Sequence, residues 1–112
     1  MRRSAAAAVR TGAAVFAALG DETRLQLIGR LAAGSPQSIS RLTATTRLTR
    51  QAVTKHLRVL EGAGVVRATR SGRESLFTLD PGPIDEARDY LAQVSRHWDH
   101  ALARLRAMVE RA

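Results

Sequence analysis

The sequence predicts a mainly α-helical domain that carries one β-hairpin. Apolar residues recur at spacings of three and four in several segments, which is the period of amphipathic helices. Aromatic residues make up only 4% of the sequence, and alanine, leucine, valine and arginine dominate, which favours helices over a sandwich or barrel. A chain of 112 residues has the size of one domain, so we expect residues 1–112 to form a single unit.

The first two helices are predicted on either side of Gly20. The first covers residues 5–19, is rich in alanine, has a thin apolar stripe and ends at a glycine, which suits a helix C-terminus. Asp21 is placed to cap the second helix. The residues expected on the core face of the second helix are Leu25, Ile28, Leu31 and Ala32.

Residues 38–61 are predicted to form two helices joined by a tight turn. Ser38 can cap the first and Thr49 the second, because a side-chain oxygen at this position accepts a hydrogen bond from a free backbone N–H. The second helix has an apolar stripe of Leu48, Val53, Leu57 and Leu60. Its other face is basic and bears an amide, with Arg50, Gln51, Thr54, Lys55 and Arg58.

Residues 65–79 are predicted to form the β-hairpin. β-Branched and aromatic residues flank a polar tip at Ser71-Gly72, and Arg70 and Arg73 bracket that tip. The segment from Asp80 to Pro83 then breaks the strand, and a proline suits the first turn of the helix that follows.

The last helix, over residues 84–110, is unusually long for a domain of this size. Its apolar residues alternate at steps of three and four, which is the heptad seam of a coiled coil. One small core cannot cover such a helix, so we predict that it packs with the first helix against a second copy of the chain. The alternative is an internal core helix. The side chains predicted at the dimer interface are Val9, Phe16, Leu91, Val94, Trp98, Leu102 and Leu105.

The formal charge of +8 points to a polyanion, and first of all to nucleic acid. The alternative is a basic surface without a partner, and the clustering of charge around residues 47–58 and 67–73 argues against it. The outward residues of 48–60 suit the DNA major groove, because arginine and lysine can donate to guanine and glutamine can pair with adenine. Threonine can meet a thymine methyl or a phosphate. The same face would also suit an ordinary solvated helix.

The chain has no cysteine, which excludes disulfides and thiolate metal sites and fits a cytoplasmic protein. No apolar run approaches the roughly 20 residues that cross a bilayer, so no membrane partner is expected. The first nine residues briefly resemble an export signal, but Arg10 interrupts the apolar stretch without a clear cleavage site, so we expect none. No phosphate-binding glycine loop or serine–histidine arrangement is present, and we do not expect an enzyme.

The predicted order, with two helices, a helix-turn-helix, a hairpin and a long helix, is that of a winged helix-turn-helix domain whose wing is residues 65–79. Three segments resemble the ArsR/SmtB family of transcriptional repressors in order and spacing: ALGDETRLQLI at 18–28, VTKHLRVLEGAGV at 53–65 and GRESLFTL at 72–79. The tryptophan-containing last helix is most similar to the small, metal-free autorepressors of that family. The resemblance implies a homodimer that binds double-stranded DNA at an imperfect inverted repeat near its own promoter. It also implies release by an effector, and the sequence names neither effector nor operator.

The same resemblance implies DNA-facing roles for particular side chains. In relatives the wing tip reaches a minor groove or its phosphates, and glycine often occupies the turn position that is Arg47 here. If that position is left-handed, a side chain costs about 1 kcal/mol, which a phosphate contact can offset. His56 matches a family histidine and is expected to be structural. The predicted DNA-binding residues are Ser38, Arg47, Thr49, Arg50, Gln51, Thr54, Lys55, Arg58, Arg70, Gly72 and Arg73.

Metal regulation is an alternative that the resemblance raises. The cysteine site of the arsenic and cadmium type is excluded, because this chain has no cysteine. Members of the zinc type place their ligands in the last helix, and the nearest matches here are Glu86, His97 and His100, with Ile84 in place of one ligand. We therefore expect neither a metal nor another cofactor. The remaining alternatives are a zinc-responsive repressor and a winged-helix protein–protein module that binds no DNA.

Overall fold

The computed structural model describes residues 5–111, with side chains from residue 12 onward. As the sequence predicts, the fold is mainly helical, and a β-hairpin wing lies between the fourth and fifth helices. The predicted dimer contact of Val9 lies outside the described side chains. The elements are α1 (Ala5–Leu19), α2 (Glu22–Leu31), β1 (Gln37–Ser38), α3 (Ile39–Ala44), α4 (Arg50–Gly62), β2 (Val66–Ser71), β3 (Glu74–Leu79) and α5 (Pro81–Arg111).

The short strand β1 adds a third strand to the wing. It pairs antiparallel with β3, with Gln37 opposite Phe77 and Ser38 opposite Leu76, and the sheet order is β1-β3-β2. The sequence predicts only the hairpin, because two residues are too few to show an alternating pattern. Strand β1 leads directly into α3, so the start of the helix-turn-helix is attached to the wing.

The core lies between the helices of the helix-turn-helix, the preceding helix α2 and the sheet. Leucines from α2, α3 and α4 meet there, and Phe77 of β3 covers them from the sheet side. This burial is the main stabilising contribution, at roughly 2 kcal/mol for each large apolar side chain. The buried apolar residues are Val15, Ala18, Leu27, Leu31, Leu42, Val53, Leu57, Leu60, Val65, Val66, Phe77 and Ala87.

The buried face of α2 differs from the predicted one. Leu25 is 50% exposed, whereas Leu27 and Leu31 are buried and Ile28 packs on the core. The inward-facing positions of α2 begin at Arg24, one residue before the predicted start at Leu25. Because this first position carries a charged side chain, the apolar pattern in the sequence does not show it. The exposed members of the predicted face are Leu25 and Ala32.

The structure confirms the three predicted helix caps. Oxygens of Asp21, Ser38 and Thr49 accept hydrogen bonds of 3.0, 3.1 and 3.1 Å from the backbone N–H three residues later. After α4 the chain turns at Gly64, whose φ of +77° suits a residue without a side chain. Gly62 instead lies inside the helix and does not have a positive φ.

Helix α5 begins at Pro81, before the predicted start at residue 84, and is about 46 Å long. Phe16 of α1 meets Tyr90 of α5 with the ring centroids 6.2 Å apart. Ala87 is the one buried residue among the described α5 side chains. The radius of gyration is 18.8 Å, against about 13 Å for a compact domain of about 100 residues. Most of α5 therefore projects from the core and is not an internal core helix.

Candidate nucleic-acid interface

Helix α4 separates its residues onto two faces, as its sequence predicts. Val53, Leu57 and Leu60 point into the core and are buried. The other face is largely open to solvent, and its side chains line one shallow depression. The residues that line this depression are Arg50, Gln51, Thr54, Lys55 and Arg58. The structure thus brings five predicted DNA-binding residues together, while their contact with DNA stays a prediction.

Arg50 is held in place by the preceding helix. Its Nη1 donates a 2.8 Å hydrogen bond to the Oγ of Ser40 in α3. Arginine has five N–H donors in a planar fork, so this bond leaves others free for a base edge. Ser40 is therefore a supporting residue that sequence reasoning misses, because its link to Arg50 depends on the angle between α3 and α4.

The hydroxyl of Thr54 is already engaged within its own helix. Its Oγ1 donates to the backbone carbonyl of Arg50 at 2.8 Å, a common pattern for threonine in helices. The hydroxyl hydrogen is thus not directed outward toward a phosphate. Of the two roles predicted for this residue, contact of its methyl group with a thymine methyl fits the structure better.

Ser38 and Thr49 each cap a helix with the side-chain hydroxyl. The hydroxyl oxygen of Ser38 accepts from the N–H of Arg41, and that of Thr49 accepts from the N–H of Ala52. Each hydroxyl therefore keeps its own hydrogen for an outside acceptor. Thr49 also lies at the N-terminus of α4, where the helix dipole favours an anion such as a phosphate.

The turn that aims α4 is unstrained, so the left-handed conformation considered for Arg47 is wrong. Among the described residues only glycines have a positive φ. Threonine hydroxyls stabilise the turn instead, since Thr45 donates to the carbonyl of Arg41 at 3.2 Å and Thr46 to that of Thr43 at 3.4 Å. Arg47 itself is exposed and needs no phosphate contact to offset strain.

A second open groove lies beside this turn. It is formed by one side of α2 and the residues that link α3 to α4. Two arginines, Arg30 and Arg47, face solvent there, and neither has an ion pair with a described residue. Arg30 carries no sequence signal, because α2 reads as a core helix. The lining residues are Gln26, Arg30, Ala44, Thr45, Thr46, Arg47 and Leu48.

The wing tip is one residue further along than predicted. Ser71 pairs with Glu74, so the loop consists of Gly72 and Arg73 rather than Ser71 and Gly72. Gly72 has a φ of +62°, which suits the first loop position of a tight hairpin turn. The Nε of Arg70 donates to the carbonyl of Gly72 at 3.3 Å, while Arg73 is exposed at the tip.

One arginine of the basic segment 67–73 is paired with a carboxylate. Arg67 forms an ion pair of 2.8 Å with Asp80, the residue that precedes α5. The N–H of Gly82, and then the hydrogen bond from Arg67, hold the pKa of Asp80 below its ordinary value of 3.8. The cations that remain available at the wing are therefore those of its tip.

The region between Glu22 and Glu61 contains no acidic residue. Every formal charge in it is positive, and it contains α3 and all of α4 up to Glu61. A surface of one sign attracts a polyanion and raises its rate of association. The cations of this stretch are Arg24, Arg30, Arg41, Arg47, Arg50, Lys55 and Arg58.

The described part of the chain contains neither a cluster of metal-ligating side chains nor a helix that could span a membrane. Residues 5–111 contain no group of three or more His, Cys, Asp or Glu side chains that could hold a metal ion. His97 and His100 are both exposed on α5, so a zinc site there would need ligands from another chain. None of the described helices combines the length and apolarity needed to span a membrane.

Comparison with known proteins agrees with this architecture. Residues 19–68 match a family model described as a helix-turn-helix domain. The chain is 35% identical over 77 residues to the HTH-type transcriptional regulator YuzN of Bacillus subtilis, covering 63% of this chain and 84% of that protein.

Solved structures extend the similarity over nearly the whole chain. An ArsR-like transcriptional regulator from Rhodococcus sp. RHA1 has a TM-score of 0.87 and 32% identity, covering 92% of this chain and 94% of that one. The homodimeric winged helix-turn-helix DNA-binding domain of a possible ArsR-family regulator from Mycobacterium bovis has a TM-score of 0.66 and 27% identity, covering 87% and 90%. This chain belongs to the ArsR-like family of winged helix-turn-helix transcriptional regulators.

Proposed function

We propose that the protein is a transcriptional repressor that binds an inverted-repeat operator as a homodimer and acts at its own promoter. The observation that carries the proposal is a solvent-facing basic surface on α4 in the same chain as a long helix whose apolar side is uncovered. The first surface suits DNA, and the second suits a copy of the chain.

The dimer is argued from α5. Leu91, Trp98, Leu102 and Leu105 are between 54% and 62% exposed in the single chain, which is far more apolar surface than one helix normally leaves in water. The heptad spacing of these residues suits a helix partner. Phe16 of α1 lies at the base of the same helix. The homodimeric relative from Mycobacterium bovis supports this mode of assembly.

A two-fold dimer would present two copies of α4 to one side of the duplex. Recognition helices related in this way enter successive major grooves about 10 base pairs apart, so the site is expected to be an inverted repeat. Arg50 and Gln51 lie on the first turn of α4 and can donate to base edges. The wing-tip residue Arg73 and the hydroxyls of Ser38 and Thr49 would bind phosphates, which supply most of the affinity.

Repression follows from where such a dimer binds. A dimer on an operator that overlaps a promoter excludes the polymerase by occupying the same DNA. The resemblance to the small autorepressors favours the promoter of the protein's own gene. No metal is needed for this binding, because each contact above uses side chains of the chain itself.

The test is footprinting of the upstream region of the gene, with zinc and with a chelator, on a protein whose mass in solution is measured by light scattering. We expect a dimer and a two-fold symmetric footprint that is the same in both conditions. Protection only in one metal condition would favour the zinc-responsive alternative. A dimer that fails to bind this DNA at low salt would reject the proposal and favour a protein–protein module.

A further inference from the structure

Two of the sequence segments that define the family resemblance meet in the structure. Arg24 lies in the first segment and His56 in the second, 32 residues apart. The Nη1 of Arg24 lies 3.5 Å from the Nδ1 of His56. This contact joins the start of α2 to the middle of α4, on the side of α4 away from its solvent-facing basic surface.

The same guanidinium also binds the end of α1. Its Nε donates to the carbonyl of Ala18 at 2.6 Å and its Nη2 to that of Ala17 at 3.1 Å. Carbonyls in the last turn of a helix lack the usual N–H partner four residues later, and these bonds help to satisfy them. The carbonyl of Ala17 also accepts the N–H of Gly20 at 3.3 Å. The Arg24 side chain is only 16% exposed. A single residue thus connects α1, α2 and α4.

The contact with His56 depends on the charge of the imidazole. Arginine can only donate, so Nδ1 must be unprotonated to accept from it. On protonation, an N–H would face the guanidinium N–H groups and two positive charges would lie side by side. The charged groups that face the imidazole are Arg24 and Asp21 from the start of α2, while the last turn of α1 offers only backbone carbonyls here. The carboxylate of Asp21, 3.9 Å from Nη1, interacts with both cations and reduces this repulsion.

We propose that Arg24 and His56 are positioning residues that fix α4 relative to α1, and that protonation of His56 reduces specific binding to the operator. The inference rests on the proposed DNA-binding function. Base readout by Arg50 and Gln51 needs α4 at a fixed angle, whereas phosphate contacts tolerate a change of angle. An added positive charge also strengthens binding to any DNA. The affinity for the operator divided by the affinity for random DNA is therefore the informative quantity.

The experiment measures both affinities by fluorescence anisotropy at pH 8 and pH 6, a range in which histidine changes charge. For the wild type we expect the ratio to fall about two- to fourfold at pH 6, because a histidine is only partly protonated at that pH. His56→Asn places a carbonyl oxygen near the position of Nδ1 and does not titrate. It should keep the wild-type ratio at pH 8 and show no fall at pH 6.

The chain offers a matched control, because its only other histidines are His97 and His100 on α5. The double variant His97→Asn/His100→Asn should keep the wild-type pH profile. His56→Leu removes the acceptor and should lower the ratio at both pH values, while circular dichroism checks that the variant is folded. A wild-type profile that is flat, or one that His56→Asn leaves unchanged, would overturn the inference while DNA binding itself stands. Absence of any operator binding at pH 8 would overturn the proposed function as well.

Discussion

Arg67 and Asp80 join the base of the wing to the start of the longest helix. The Nη2 and Nε of Arg67 lie 2.8 and 3.0 Å from one carboxylate oxygen of Asp80. The other oxygen accepts the N–H of Gly82 in the first turn of α5, at 3.1 Å. A carboxylate that accepts from both sides couples the wing, which is proposed to touch DNA, to the helix proposed to form the dimer.

This ion pair predicts a pH dependence of stability. The lowered pKa of Asp80 means that the carboxylate stabilises the folded state above about its ordinary value of 3.8 and loses that contribution as the pH falls below it. Asp80→Asn should therefore lower the free energy of unfolding at pH 7, and its difference from the wild type should shrink between pH 4 and pH 2. Urea unfolding at each pH measures this. Asp99→Asn, an exposed change further along α5, is the control, and an equal loss in both variants would contradict the assignment.

Elements with strong periodic patterns or caps could be predicted from the sequence. The bounds of α1, the caps at Asp21, Ser38 and Thr49 and the two faces of α4 depend on local chemistry, which adjacent residues determine. The candidate site could be predicted for the same reason, because most of it lies on one helix with an apolar stripe.

The features that could not be predicted depend on contacts between distant segments. Strand β1 exists because Gln37 and Ser38 meet β3, and the core face of α2 is displaced because Arg24 is partly buried against α1 and α4. The contact of Ser40 with Arg50 also crosses between helices. Nothing in the local sequence distinguishes these residues from ordinary polar surface residues.

Changes on the first turn of α4 should separate base reading from general affinity. Gln51→Ala is expected to weaken binding to the operator by about 1–3 kcal/mol and to relax sequence preference, with little effect on random DNA. Arg50→Ala should do the same. Ser40→Ala removes only the support for Arg50 and should produce a smaller loss of the same kind. Competition binding with operator and scrambled duplexes measures these losses, and equal losses on both duplexes would contradict the assignment.

Arginines proposed to bind phosphate should instead affect all sequences similarly. Arg73→Ala at the wing tip should weaken binding to the operator and to random DNA by similar factors. It should also reduce the slope of log affinity against log salt concentration by about 1 for each Arg73 that is removed. If the groove that Arg30 shares with Arg47 also contacts DNA, Arg30→Ala should reduce the salt slope as well. Arg96→Ala on α5 is the control and should leave the salt slope unchanged. A tested variant whose slope is also unchanged would show that its arginine does not contact a phosphate.

The apolar side of α5 should determine the oligomeric state. Leu105→Glu would place one charge from each copy in the proposed interface. The loss of leucine burial alone should weaken dimerisation by about 2 kcal/mol for each copy. The dimer dissociation constant should therefore rise about 100- to 1000-fold. Ala103→Glu introduces the same charge on the far side of the helix and should leave the dimer intact. Analytical ultracentrifugation compares the two variants, and equal dimer stability in both would exclude this face.

Two glycines with opposite roles give a test of the backbone geometry. Gly72 has a φ of +62° at the wing tip and nothing within 4 Å of an added Cβ, so the cost of Gly72→Ala is conformational alone, at about 1–2 kcal/mol. Gly29 lies inside α2 with ordinary helical geometry and equally open space, so Gly29→Ala should stabilise the protein by up to about 1 kcal/mol. Thermal unfolding of the two variants should shift in opposite directions. A Gly72→Ala variant as stable as the wild type would mean that the wing loop does not adopt this turn in solution.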